Sequence, residues 1–145
     1  MGNATAVSID RLFARFANSS DTFRVYHQSK LIFKSEKEQL RPLLEYIDKF
    51  SSQVQGVVIF DRIVGNAAAL LLKKASCREI YSPLGSDIAA RTLSEQGIKY
   101  HFSRTVPYIM NKAGDDICPM EKLSLGKSSE EFFQHLRRLQ SKRQN

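Results

Sequence analysis

Two short segments carry the side chains best suited to chemistry. The first is Asp61-Arg62, followed closely by Gly65-Asn66. A carboxylate there can accept hydrogen bonds, act as a weak base or cap the helix that follows it. A guanidinium beside a helix N-terminus can anchor an anion, and a glycine lets a ligand or a neighbouring backbone approach closely. The second segment is Cys118-Pro119-Met120-Glu121. Cys118 is a nucleophile only as a thiolate, which needs a base or positive charge. Lys112, Lys122 and Arg62 could supply charge, but no histidine lies close in sequence, so a buried structural cysteine with Pro119 shaping the turn is the competing reading. Should the segment fold back over Asp61, Glu121 would bring a second carboxylate with a separated pKa, able to bind a metal or divide acid and base roles. Asp61, Cys118 and Glu121 are therefore the catalytic candidates. Arg62, Gly65, Asn66 and Asn111 join them as ligand-binding candidates.

The elements that must position these residues follow from periodicity. Gly56–Phe60 is an uninterrupted apolar run, read as a buried strand, and residues 63–74 are read as a buried helix with Asp61 at its start. In an open α/β sheet this strand-to-helix edge is where ligands collect. Upstream, Ser8 can cap a helix to Asn18 whose Val7, Ile9, Leu12, Phe13 and Phe16 share a face. Phe23–His27 and Leu31–Phe33 suggest a hairpin, although Gln28-Ser29-Lys30 lacks the glycine or asparagine that tight turns favour. Ser35 and Glu38 match a capping box ahead of Leu40, Leu43, Leu44, Ile47 and Phe50.

Downstream, Glu79–Ser82 reads as a strand, Pro83-Leu84-Gly85 as a loop, and Asp87–Gln96 as a helix closed by Gly97. Tyr81, Ser82 and Ser86 could border the same edge. Ile98–Ser103 is the last expected strand. Residues 106–127 read as a long irregular loop with a turn at Asn111–Asp116, whose acidic pair lacks the spacing of a calcium loop. Ser128 and Glu131 form a second capping box for a terminal helix over about 128–143, apolar through Phe132, Phe133, Leu136 and Leu139 and basic elsewhere.

This order resembles the cytidine-deaminase-like fold. The residues that carry the resemblance are Asp61 to Leu71, Gly97-Ile98, Val106-Pro107-Tyr108-Ile109 and Cys118 to Glu121, and they point to an uncharacterised prokaryotic branch of that superfamily, a domain of unknown function. The resemblance implies a three-layer α-β-α domain over 1–145, with a mixed five-stranded sheet of order 2-1-3-4-5 and an N-terminal hairpin. It also implies what is missing. A zinc deaminase carries His/Cys-Ala-Glu at one helix start and Pro-Cys-x-x-Cys at the next. Here the corresponding starts read Ser35-Glu36-Lys37-Glu38 and Phe60-Asp61-Arg62-Ile63-Val64-Gly65, and His27, His101 and His135 are scattered. Neither a metal nor a cofactor is expected, and zinc-dependent deamination is disfavoured.

The 145 residues suit one domain, and 42% hydrophobic content suffices for a core. Of the net charge of +7, residues 122–145 hold six Lys/Arg against Glu130 and Glu131, a net +4, so a solvated basic tail explains most of it. Nucleic acid is not an expected partner, since aromatic residues do not interleave with these charges as a single-strand binder requires. No run approaches the roughly 20 apolar residues of a membrane span. Two cysteines without a Cys-x-x-Cys pair, and no secretory or transit signature, point to the cytoplasm. Three functions remain: binding of a small polar or anionic ligand, nucleotide-derived ones included, through Asp61, Arg62 and the 107–121 loop; a metal-free enzyme using Cys118 or Asp61/Glu121; and an interaction module whose basic helix docks on an acidic partner or nucleic acid. Homodimerisation stays open.

Overall fold

The computed structural model describes residues 8–50 and 53–144. The chain runs α1 (Ile9–Ala17), β1 (Phe23–His27), β2 (Lys30–Ser35), α2 (Arg41–Phe50), β3 (Val57–Asp61), β4 (Ile63–Val64), α3 (Asn66–Lys74), β5 (Cys77–Ser86), α4 (Asp87–Glu95), β6 (Lys99–Val106), α5 (Pro119–Ser124) and α6 (Ser129–Gln144). The result is an α/β fold on a mixed sheet. β1 pairs antiparallel with β2 and β3, whereas β3, β4 and β6 all run parallel to β5. None of the described helices is long and apolar enough to cross a membrane.

Alternation along β3 divides the core. Val57 and Ile59 join a cluster with α2, α3, α4 and α6, including Leu43, Leu71, Leu93 and Phe132. Val58 and Phe60 point the other way, into a smaller cluster with Leu12 and Phe16 of α1, Tyr26 and Tyr81. One helix thus covers one face and the remaining helices cover the other. The expected stripe of α1 is present in Leu12 and Phe16, with Ile9 and Phe13 packed beside them; Val7 lies outside the described residues. Ser8 caps α1 by accepting from the Arg11 N–H at 3.2 Å.

Several expectations need correction. The sheet has six strands, ordered β2-β1-β3-β5-β4 with β6 also paired to β5, in place of five in the order 2-1-3-4-5. The additional strand is Ile63–Val64, expected in the helix. It pairs with Leu84-Gly85 because the chain stays extended past Asp61, so α3 begins only at Asn66. Pro83-Leu84-Gly85 lies inside β5, where the ring of Phe102 occupies the space a Cβ on Gly85 would need, 2.2 Å away. β6 extends to Val106 for the same reason, since it pairs with β5 as far as Ser86. Ser35 is the last residue of β2, its hydroxyl accepting from Lys37 N–H, and α2 starts at Arg41 with Pro42 in its first turn. The hairpin turn dispenses with glycine by holding Gln28 and Ser29 at φ of 51° and 69°.

Candidate functional site

Asp61 and Arg62 stand at the carboxyl end of β3, and the pleat sends them apart. Asp61 continues the face of Val57 and Ile59, and Arg62 turns towards α1. The Arg62 guanidinium donates to the carbonyls of Phe16 (2.8 Å), Ala17 (3.2 Å), Ser19 (2.8 Å) and Asp21 (3.0 Å). It also lies 4.4 Å from the centroid of the Phe16 ring. The last carbonyls of a helix have no intrahelical partner, and a cation there also meets the negative end of the helix dipole. Arg62 is therefore a clamp that ties the end of α1 to the sheet. With four N–H groups already donated, it is not available as the anion anchor expected from sequence.

The N-terminus of α3 is also satisfied from a distance. Gly65 is its N-cap residue and supplies no side chain. The buried carboxylate of Glu121 accepts from the N–H of Asn66 at 2.7 Å and of Ala67 at 2.9 Å. A Cβ on Gly65 would lie 2.5 Å from the carboxylate atoms of Glu121. The glycine thus makes room for a carboxylate of the same chain, and Asp61 does not cap the helix. This geometry was hidden in the sequence, where 55 residues separate the partners.

Asn66 is a rivet between helices. Its amide donates to the Ser124 carbonyl (3.3 Å) and hydroxyl (2.9 Å), and its oxygen accepts from the Thr92 hydroxyl. With 5% of its surface exposed, it joins α3, α4 and α5 and does not reach the site proposed for it. α5 was missed within the 106–127 loop, although Pro119 at its first position and an acidic residue in its first turn are a start signal. The turn at Asn111–Asp116 forms as expected: Asn111 N–H donates to the Asp116 carbonyl (2.8 Å), and Met110 and Ile117 bridge.

Among the described residues a cavity of about 590 Å³ opens between the end of β3, the start of α3 and the 109–121 segment. Asp61, Arg62, Gly65, Asn111, Cys118 and Glu121 all contribute to its lining, so the long loop does return to Asp61. Most of the wall is apolar, from Leu40, Ile63, Ala67, Ala68, Ile109, Met110 and Met120. Little of its polar lining is free. The Asn111 side chain is consumed by its own turn, accepting from Gly114 and Asp115 N–H and donating to the Asp115 carboxylate. Thr22 donates to the carbonyls of Ser35 and Lys37.

Asp61 differs from these. Burial pushes its carboxyl up to about 8, and the backbone N–H groups of Arg62 and Ile63 only partly offset this. Cys118, a half-buried free thiol, lines the same space. Asp61, Cys118 and Glu121 do not converge as a metal-ligating group. Tyr81, Ser82 and Ser86 lie elsewhere: Tyr81 packs on the α1 face and Ser86 caps α4 through Ala89 N–H. A second cavity, of about 410 Å³, lies on the far side of Asn66 between α3, α4 and the start of α6, and carries Lys73, Arg91 and Lys127.

Residues 13–140 match the model of the TM1506 family, a domain of unknown function, DUF1893. A DUF1893 family protein (TM1506) from Thermotoga maritima is similar in crystal structure, with a TM-score of 0.79 and 27% identity over 94% of this chain and 92% of that one. No curated protein matches the chain.

Proposed function

The chain belongs to the DUF1893 family, and we propose that it binds a small polar ligand with an apolar body in the cavity beside Asp61. The observation that carries this reading is a single one. At the carboxyl end of a central strand, an apolar cavity of ligand size is lined by the half-buried carboxyl group of Asp61, whose hydrogen-bond partners among the described residues are backbone N–H groups alone. A carboxyl with no side-chain partner keeps hydrogen-bonding capacity that a ligand can take up.

Element order and the place of the cavity favour a divergent cytidine-deaminase-like arrangement, with hairpin, α2 and β3 preceding the ligand edge. A nucleobase or nucleoside suits the size of the cavity. A phosphate is poorly served, because Arg62 and the N–H groups of Asn66 and Ala67 are already engaged. A thermal-shift screen of nucleobases and nucleosides should give hits that Asp61→Ala abolishes. Hits indifferent to that substitution would sink the proposal.

A second reading, a metal-free enzyme, draws on one further observation: the Cys118 thiol faces the same cavity as Asp61. Its check is thiol reactivity at neutral pH. A Cys118 no faster than a model thiol removes the nucleophile.

A further inference from the structure

The polar groups of the cavity can be separated into those already used and those left over. The donors that could hold an anion are used. Arg62 faces α1, the α3 N–H groups hold Glu121, and the Asn111 amide closes its own turn. Lys112 is the remaining cation in the lining, and it is exposed. What is left over inside is the Asp61 carboxyl, which accepts once ionised, while Glu38 and Gln39 join Lys112 at the exposed rim. Around them lie Leu40, Ala68, Met110 and Met120, with Ile63 half-exposed at the opening.

Building on the reading of this cavity as a ligand site, we infer that its ligand is a small organic cation, an amine or amidine on an apolar body, whose N–H groups pair with the Asp61 carboxyl. An amidinium offers two parallel N–H donors to one carboxylate, the geometry that makes such pairs both strong and selective. The apolar body is held by the methionine and alanine walls. A carboxylate on the same body would meet the carboxyl groups of Asp61 and Glu121 inside, with Lys112 and Gln39 as donors only at the exposed rim.

The pairing has a proton signature. In the empty cavity the Asp61 carboxyl titrates near 8, and a bound cation favours its ionised form. At neutral pH, binding therefore expels one proton from Asp61, and the affinity for a permanently protonated amidine rises by about a hundredfold from pH 6 to pH 9. The other charged or titratable groups facing Asp61 are Glu121 from α5, Glu38 ahead of α2, and Lys112 and Cys118 from the loop, with Arg62 beside it in the chain.

The experiment uses the full chain and four probes on one ring: benzamidine, benzylamine, benzamide and benzoate. Binding is followed by shifts of the Met110, Met120 and Ala68 methyl signals and by calorimetry at pH 6 and 9. Benzamidine is expected to bind most tightly, with tighter binding at pH 9, release of a proton at pH 7, and loss of the pH dependence in Asp61→Asn. Benzamide or benzoate binding as well as benzamidine overturns the cation preference and leaves the ligand site standing. Absence of methyl shifts with all four probes and with nucleobases overturns the ligand site itself. Both comparisons are made on the unsubstituted protein, so neither depends on how the variant folds.

Discussion

Asp61 and Arg62 are adjacent in the chain and face opposite sides of the sheet, where their surroundings differ. Under Arg62 the α1 face is closed: four carbonyls and an aromatic ring take up one guanidinium. Over Asp61 the other face stays open, and the carboxyl meets a cavity and two backbone N–H groups. Two charged residues side by side in a sequence look like one site. The pleat makes them a structural clamp and a candidate binding group, and what separates the two roles is how many partners each has.

Substitutions can break that distinction or sharpen it. The largest effect is expected from Arg62→Ala, which strands the carbonyls of Phe16, Ser19 and Asp21 and should cost on the order of 3 kcal/mol in denaturant melts. Ligand affinity, once corrected for the unfolded fraction, should hardly change. A variant that kept full stability and lost ligand would reverse the two roles.

Gly65→Ala comes next. Its Cβ cannot coexist with the Glu121 carboxylate where it stands, so that carboxylate must leave the α3 N–H groups or carry α5 with it, at a cost of about 2.5 kcal/mol from overpacking and a lost helix cap. Amide exchange at Asn66 and Ala67 should accelerate with it.

Asp61→Asn should act in the opposite direction and stabilise. The folded carboxyl titrates near 8 against an ordinary value of 3.8. Between those limits the folded state holds more protons than the unfolded chain, so stability falls as pH rises from about 4 to 8 and levels off above. Asparagine removes that slope, with a gain on the order of 2 kcal/mol at pH 7 once the partial exposure of the group is allowed for. A wild-type profile flat between pH 4 and 8 would show that burial does not hold Asp61 in its protonated form.

The smallest change, about 1 kcal/mol, is expected for Glu121→Gln, which keeps one acceptor for the α3 N–H groups and loses the charge that favours the helix terminus. Chemical denaturation resolves a difference of that size.

Much of this could be read in advance because it is local. The stripe of Leu12 and Phe16, the Ser8 cap, the box of Ser128 and Glu131, and the apolar run of β3 each follow from residues within a few positions of one another. The gathering of Asp61, Gly65, Cys118 and Glu121 around one cavity was open in the sequence, since it turns on whether the long loop after the last strand folds back to the carboxyl edge, and only the tertiary structure shows that it does. What could not be read was allegiance. Nothing near Arg62 announces that α1 will end beneath it, and nothing near Gly65 announces a carboxylate 56 positions later. β4 escaped for a related reason, since two residues of strand are defined by Leu84-Gly85 opposite and not by their own pattern.

The contact between Glu121 and the start of α3 also reports on how the chain is assembled. The amides of Asn66 and Ala67 find their acceptor only when α5, which follows β5, α4 and β6 in the chain, has docked at the start of α3. In a refolding experiment read by pulsed deuterium labelling, these two amides would be a clock for the docking of α5, and in the native state a gauge of how often α5 lets go.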